Sequence, residues 1–277
     1  MSQLCITAVV NNWVEKPYLL AEHGLALYIE YEGKKFLFDT GSGETLLLNA
    51  SNLGIDLTSL DGVIISHGHK EHTGGLSSLL AFNIKKLYAH PNIFEEKFSR
   101  DSKDLIRNVS APVSHLLIEK SGVELCFNTK PVEIAPGMIL SGEIPLDEES
   151  EEFIPPGAFY NWTPSGFKQE MILDEQALLI KTDKGWVIVC GCCHRGILAT
   201  IKKAQQITAS EKFYMLIGGF HLSDADHEFL QKFSHLLSQY FSVVVPMHCS
   251  SKKGFLTIYK IYGKQCISLF IGDTIEV

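Results

Sequence analysis

The stretch Ser66-His67-Gly68-His69-Lys70-Glu71-His72-Thr73-Gly74-Gly75 places three imidazoles and a carboxylate within six residues. Packing needs no such cluster, and every member can bind a metal ion. His67 and His69 are two apart and point the same way from extended backbone. Glu71 and His72 follow one turn on and face a second centre a few ångströms away. Three imidazoles with a carboxylate suit zinc, iron or manganese better than calcium or magnesium. The stretch therefore reads as a site for one or two divalent ions, zinc first. Such ions lower the pKa of a bound water and polarise a carbonyl or phosphoryl oxygen. Glu71, or Asp39 acting through a histidine, would manage the proton.

These residues need a rigid frame, and the flanking sequence supplies one. Val63-Ile64-Ile65 reads as a buried strand, and residues 76–82 as the start of a helix. The same plan recurs. Five times a buried strand ends in polar residues and a Gly or Ser, ahead of a predicted helix. Residues 36–38 run into Asp39-Thr40-Gly41, and residues 63–65 into the histidine turn. Residues 186–189 run into Cys190-Gly191-Cys192-Cys193-His194-Arg195-Gly196, then a helix at 197–207. Residues 213–217 run into Gly218-Gly219-Phe220-His221, then a helix at 226–240. Residues 243–245 run into Pro246-Met247-His248-Cys249-Ser250. Strand ends on one edge of a sheet converge. Asp39, His67, His69, Glu71, His72, Cys192, His194, His221 and His248 are thus predicted to meet in one buried site.

The rest of the chain is read more coarsely. Residues 4–10 form a first strand and 11–24 a polar loop. Residues 25–31 and 35–38 form a hairpin about Glu32-Gly33-Lys34. The middle, about 83–175, holds strands at 86–89, 123–127, 132–134 and 138–140 and a charged helix at 95–108. It also holds an acidic surface run at 147–152 and an aromatic loop, Pro155-Pro156-Gly157-Ala158-Phe159-Tyr160-Asn161-Trp162, able to cap a pocket. Residues 265–272 form the last strand. No repeat, low-complexity tract or linker divides the chain. One domain over 1–277 is expected, with a lid or insert at about 91–170.

The 277 residues, 45% hydrophobic, can bury a sizeable core. A net charge of −8 opposes a nucleic-acid footprint, which needs a basic face. It leaves room for a local basic pocket, so the expected partner is a small anionic molecule. The first ten residues lack a charged leader region, and no apolar run approaches the ~18 residues that span a membrane. Seven cysteines, three of them in Cys190-Gly191-Cys192-Cys193, do not form a secreted disulfide layout. A reduced, cytoplasmic protein follows. The roughly four spaced thiolates of an iron–sulfur cluster are absent.

With these residues in hand, the chain resembles the metallo-β-lactamase superfamily along nearly its whole length. The histidine turn is similar to its His-x-His-x-Asp-His motif, with Glu71 where the pattern has Asp. Asp39-Thr40-Gly41 resembles its first motif. Asp174-Glu175-Gln176-Ala177-Leu178, Gly191-Cys192-Cys193-His194-Arg195-Gly196-Ile197, Gly218-Gly219-Phe220-His221-Leu222 and His248-Cys249 resemble the methanopterin-type dihydropteroate synthase-like subgroup in order and spacing. The resemblance implies an α/β fold, an αββα sandwich with a metal site at one edge between the sheets, and hydrolase-like or phosphate-transfer chemistry. By position, His67 and His69 match the first centre, and Glu71, His72 and His248 the second. Cys192 falls where the superfamily often has a bridging Asp or a Cys, and His194 is an equal candidate. Glu143 or His194 stands in for the third histidine of the first centre.

Asp39 is expected to orient a ligand histidine, His221 to meet substrate or orient a ligand, and Glu143 to meet substrate if it binds no ion. Arg195, beside a helix start, would hold an anionic group, or else make a surface salt bridge. His90, His115, His227 and His235 are read as structural or surface. The expected activity is a metal-dependent hydrolase acting on an ester, phosphoester or related bond. The rivals are a pterin or phosphoryl-type transferase and a non-catalytic metal-binding or sensing protein. Glu is one methylene longer than Asp and carries its carboxylate about an ångström further. An asymmetric or single-ion site, or a general-base position for Glu71, follows from that.

Overall fold

Alternation along residues 4–10 already assigns the layers. Leu4, Ile6 and Ala8 share one face and pack into a core between two sheets, whereas Val9 and Val10 pack outward. The computed structural model describes residues 4–100 and 105–277. The strands are β1 (Leu4–Val10), β2 (Ala26–Tyr31), β3 (Lys34–Phe38), β4 (Gly62–Ile64), β5 (Lys86–Ala89), β6 (Lys97–Arg100) and β7 (Ile106–Asn108). They continue as β8 (Glu124–Phe127), β9 (Val132–Ala135), β10 (Met138–Leu140), β11 (Phe159–Thr163) and β12 (Gly166–Gln169). The last are β13 (Leu178–Thr182), β14 (Gly185–Cys190), β15 (Phe213–Gly219), β16 (Phe241–Met247) and β17 (Thr274–Glu276).

A seven-stranded sheet has the order β17-β1-β2-β3-β4-β5-β8, and a six-stranded sheet the order β16-β15-β14-β13-β10-β9. Their facing side chains, Phe36, Phe38, Ile64 and Leu27 on one side and Leu178, Val189, Ile217 and Val245 on the other, form one apolar layer. Helices Ile197–Thr208, His227–Tyr240 and Lys252–Tyr262 cover the outside of the second sheet, and the short helices near Leu46 and Leu76 cover the first. This is an αββα sandwich. In the first sheet β3, β4, β5 and β8 run parallel. In the second, β14, β15 and β16 do. The carboxyl ends of parallel strands lie at one edge, where the chain must turn into helices. No helix among the described residues is long and apolar enough to cross a membrane.

Three expectations need correction. Residues 95–108 are not a helix: β6 and β7 lie there and join β11 and β12 in a third, four-stranded sheet of order β12-β11-β6-β7 (residues 101–104 lie outside the described residues). The aromatic loop is partly strand for the same reason. Phe159, Tyr160 and Asn161 pair with Ser99, Phe98 and Lys97. The last strand is Thr274–Glu276, not 265–272, where only Cys266 bridges to Val244. The helix Lys252–Tyr262 was not predicted.

One carboxylate fixes the turn behind Asp39. Glu22 accepts the backbone N–H groups of Ser42, Gly43, Glu44 and Thr45 at 2.8, 3.3, 2.9 and 2.9 Å, just before the helix Leu46–Asn52. Thr45 is the N-cap of that helix and the other three N–H groups belong to the turn before it, so none has a partner within the helix. Glu22→Ala is expected to cost about 3 kcal/mol, read as a lower urea midpoint at unchanged slope. A midpoint within experimental error of wild type would remove Glu22 from this role.

Candidate metal centre

Four parallel strand ends and the histidine turn deliver the site. The turn follows β4 and carries Ser66 to His72. Gly68 sits between the two histidines because a Cβ there would strike the Ile93 carbonyl oxygen. The loop after β14 carries Cys192 and His194, β15 leads to His221, and β16 to His248 and Cys249. Asp39, Cys193, His221 and His248 all hold left-handed φ values of 58°, 62°, 47° and 46°. Non-glycine residues adopt that region at a cost and gather at functional turns.

The structure brings six imidazoles together. Ring centroids of His67 lie 4.6 Å from His69, 4.2 Å from His72 and 4.9 Å from His194. His194 lies 4.8 Å from His69 and 4.5 Å from His221, and His72 lies 5.0 Å from His248. Three of these rings are held from behind. His72 Nδ1–H donates to Asp39 Oδ2 at 2.7 Å, and a carboxylate can only accept. Ser66 Oγ–H donates to the same oxygen at 2.8 Å and so accepts from His67 Nδ1–H at 2.9 Å. His248 Nδ1–H donates to Asn12 Oδ1 at 2.8 Å. Each of the three thereby keeps the lone pair of Nε2 for the interior. Burial and the neighbouring imidazoles hold His67, His194 and His248 well below the ordinary histidine range, so these rings stay neutral. For His72, burial acts the same way but Asp39 outweighs it and raises the ring, so Nε2 holds a cation more strongly, a proton or, in its place, a metal ion.

A cation is the partner this arrangement fits. His69 Nε2, His194 Nε2 and His248 Nε2 are buried without any protein partner, a costly state for a polar atom. Of four groups whose ligand atoms lie within 4.8 Å of one another, two are His67, Cys192 and His194, and His72, Cys192 and His248. Cys192 belongs to both, with its Sγ 3.1 Å from His72 Nε2. His69 stands beside the first group, its Nδ1 3.1 Å from His67 Nε2.

Glu71 falls elsewhere. Its carboxylate groups with His23 and His248 rather than with His72 and Cys192, as its extra methylene would carry it. It lines an open cleft of about 330 Å³ together with His23, Lys70, Arg100, Arg107, Phe159 and His221. Burial alone would raise the Glu71 carboxyl, but His69 and His72 outweigh it and hold it below the usual carboxylate range.

Glu143 does not reach the histidines. Its N–H bonds to the Thr129 carbonyl, and its half-exposed carboxylate meets His90 Nε2 at 3.1 Å. His194 alone occupies the place for which both were candidates. Arg195 is not a surface side chain, and with His194 and Phe159 it lines a second pocket. It is buried, and its Nε and Nη1 donate to the carbonyls of Ile144 and Met171 at 2.9 and 2.8 Å. Glu175 clamps this turn by accepting the N–H groups of His194 and Arg195, both at 2.7 Å. Burial pushes its carboxyl up to about 7.

Sequence reasoning missed several residues here. His23, Asn11 and Asn12 lie in what reads as an ordinary polar loop, yet Asn11 Oδ1 accepts the His248 N–H at 2.9 Å. Cys249 is adjacent to a histidine already singled out. Glu175 lay within a noted motif, but nothing local marks it as a clamp.

Comparison with known proteins identifies the family and the fold. Residues 20–166 match the family model of the metallo-β-lactamase superfamily. The chain belongs to that superfamily. It is 37% identical over 217 residues to 7,8-dihydropterin-6-methyl-4-(β-D-ribofuranosyl)-aminobenzene-5'-phosphate synthase of Methanocaldococcus jannaschii, covering 75% of this chain and 74% of that one. It is 25% identical over 260 residues to the uncharacterised protein MJ0448 of the same organism, covering 92% and 93% of the two chains. Tm1679, a metal-dependent hydrolase of the β-lactamase superfamily, superposes with a TM-score of 0.81 over 99% of both chains at 26% identity. The sandwich described above is therefore the metallo-β-lactamase fold, with the His-x-His-x-Asp-His motif of the superfamily written here with Glu71.

Proposed function

We propose that this chain is a metal-dependent hydrolase that opens an ester, phosphoester or related bond of a small anionic molecule. One observation carries the reading: His67, His72 and His248 are each held through Nδ1 and present Nε2 inward, the arrangement that prepares imidazole for a cation. His67, His69 and His194 would hold one ion and His72 and His248 another, with Cys192 between them. The donor set favours zinc, then iron or manganese. When bound, such ions lower the pKa of water and polarise a carbonyl or phosphoryl oxygen.

The chain supplies the rest. Glu71, at the mouth of the site, accepts a proton from the attacking nucleophile, while Asp39 keeps His72 in one tautomer. The Phe159 ring lies 4.8 Å from both His69 and His194 and shields them from water. The four-stranded sheet that carries it acts as a lid on a single domain. Lys70, Arg100 and Arg107 line the cleft and favour an anionic substrate on an otherwise acidic chain. Seven free thiols suit a reducing compartment such as the cytoplasm.

A panel of phosphodiesters, lactones and thioesters, assayed with zinc, manganese and iron(II), tests the reading. Turnover of at least one class is expected, abolished by chelation and by His67→Ala/His69→Ala. Tight ion retention with no turnover under any metal would leave a metal-binding or sensing protein. Glu71→Asp is expected to bind the more weakly held zinc about 10-fold more tightly, because the shorter carboxylate reaches back toward His72. Unchanged or weaker binding in competition with a chelator would show that the reach of Glu71 does not limit that ion.

A second reading is favoured by the synthase relative, a transferase in which an amine takes the place of water at the same groups. Added pterin would then quench tryptophan fluorescence through Trp162, which shares β11 with Phe159. A pterin-insensitive signal together with hydrolytic turnover decides for the hydrolase.

A further inference from the structure

The donors at this edge outnumber those assigned so far. Among the five buried cysteines, Cys190, Cys193 and Cys266 pack into the apolar cluster beneath the outer helices. Cys192 and Cys249 belong to none of the apolar clusters. They face each other among the imidazoles, with Sγ atoms 3.3 Å apart. Ordinary packing of small thiols accounts for the first three and not for these two.

His221 completes a set. Its backbone N–H donates to Cys249 Sγ at 3.1 Å, and its Nδ1 is buried with no partner. Cys192, His221 and Cys249 offer ligand atoms that all lie within 4.8 Å of one another. The backbone is shaped around the sulfur. A Cβ on Gly219 would strike the Gly191 carbonyl and come within 2.7 Å of Cys249 Sγ, so only glycine lets β15 end against this thiol. The left-handed φ values of His221 and His248 aim the two neighbouring turns at the same point.

We propose that Cys192, Cys249 and His221 form a thiolate-rich ion position of their own, adjoining the histidine centre and sharing Cys192 with it. Two thiolates and one imidazole select a thiophilic divalent ion such as zinc or iron(II) over manganese or magnesium. Each thiol gives up its proton to solvent on binding. This position rests on the metalloenzyme reading for its neighbour, and on its own three residues for its ligands.

Cobalt(II) added to metal-free protein under a phosphine reductant tests it, with two readouts: thiolate-to-cobalt charge-transfer absorption and ions retained per chain. Wild type is expected to show a strong charge-transfer band. Cys249→Ser, nearly isosteric, is expected to reduce that band to about half and to retain one ion fewer. His221→Asn should keep the band but need more cobalt to develop it. His67→Ala/His69→Ala should lose ions while the band persists. A Cys249→Ser protein with the wild-type band and ion count overturns the proposal. Should Cys249→Ser not fold, a His221→Asn titration superimposable on wild type overturns it equally. Cobalt binding to wild type with no thiolate band also sinks this inference and removes Cys192 from the histidine centre, while its imidazole ligands stand. No cobalt binding at all would take the metalloenzyme reading down with it.

Discussion

Asp39→Asn is expected to weaken zinc retention by about 100-fold and activity with it, the upper range for removing a group that orients a metal ligand. Asp39 is fully buried and accepts three hydrogen bonds, from the Ser66 N–H at 2.8 Å, the Ser66 hydroxyl at 2.8 Å and His72 Nδ1–H at 2.7 Å. Asparagine has the same size but offers one acceptor and one donor. If its NH₂ faces Ser66 N–H, two donors meet in a buried site. If it faces His72, the imidazole must move its proton to Nε2, and the lone pair turned toward Cys192 is lost. Either orientation spoils the site without changing its volume. Ser66→Ala leaves the bond from His72 to Asp39 in place but frees His67 Nδ1–H, so it separates the His72 tautomer from ligand orientation in general. A loss of about 10-fold with an unchanged His72 tautomer is expected there. Nitrogen-15 shifts of the His72 ring report the tautomer directly. An Asp39→Asn protein with wild-type zinc affinity and an unchanged His72 tautomer would refute the argument.

The second large effect is on stability. Lys97, on β6 of the small sheet, is almost wholly buried, and its ammonium lies 3.2 Å from Asp174 Oδ2. It also donates to the Asn92 carbonyl at 2.9 Å. The same Asp174 oxygen accepts the Gly68 N–H at 2.7 Å, between His67 and His69. Lid sheet and histidine turn thus share one carboxylate. Lys97→Met leaves Asp174 buried and unpaired, which costs about 3–5 kcal/mol. Lys97→Met/Asp174→Asn removes both charges and should recover most of that loss, a non-additivity that marks a direct pair. Urea unfolding of the two single variants and the double variant measures it. Additive losses would mean the two charges do not support each other. The pair also predicts that Lys97→Met weakens zinc binding, since Asp174, which anchors the Gly68 N–H between the two histidines, loses the charge that holds it in place.

Much of this was legible from residue order. The histidine turn announces itself because four ligand types crowd into six residues, and β3, β4, β14, β15 and β16 each end in a visible change from apolar to polar. Layered sheets follow from those strands and the helices after them, and the family resemblance supplied the αββα order. What stayed hidden has physical reasons. β6 reads Lys97-Phe98-Ser99-Arg100, a charged segment with no alternating apolar face, because its stability comes from pairing with β11 some sixty positions on. Lys97 and Asp174 find each other only after the lid folds over. Asn12 and His248 are 236 residues apart, and no local pattern marks a side chain whose task is to hold another ring from behind. Glu143 was placed by its position in the chain alone, and in the loop after β10 its carboxylate meets His90.

The ligands come from both halves of the sandwich, and this reaches beyond chemistry. His72 and Cys192 are 120 residues apart in the chain, so an ion held between them ties off a loop of that length. On the chain-entropy estimate for a cross-link, a loop of that order is worth about 5 kcal/mol against the unfolded chain. That figure applies while the ion stays on the unfolded chain; an ion that binds only the folded form stabilises it by mass action instead. The ion then behaves as a reversible staple. A chelator should act on this protein as a denaturant does, and a copy made in a metal-starved cell would spend longer open to proteases. Metal supply would set how many molecules survive as well as how many are active.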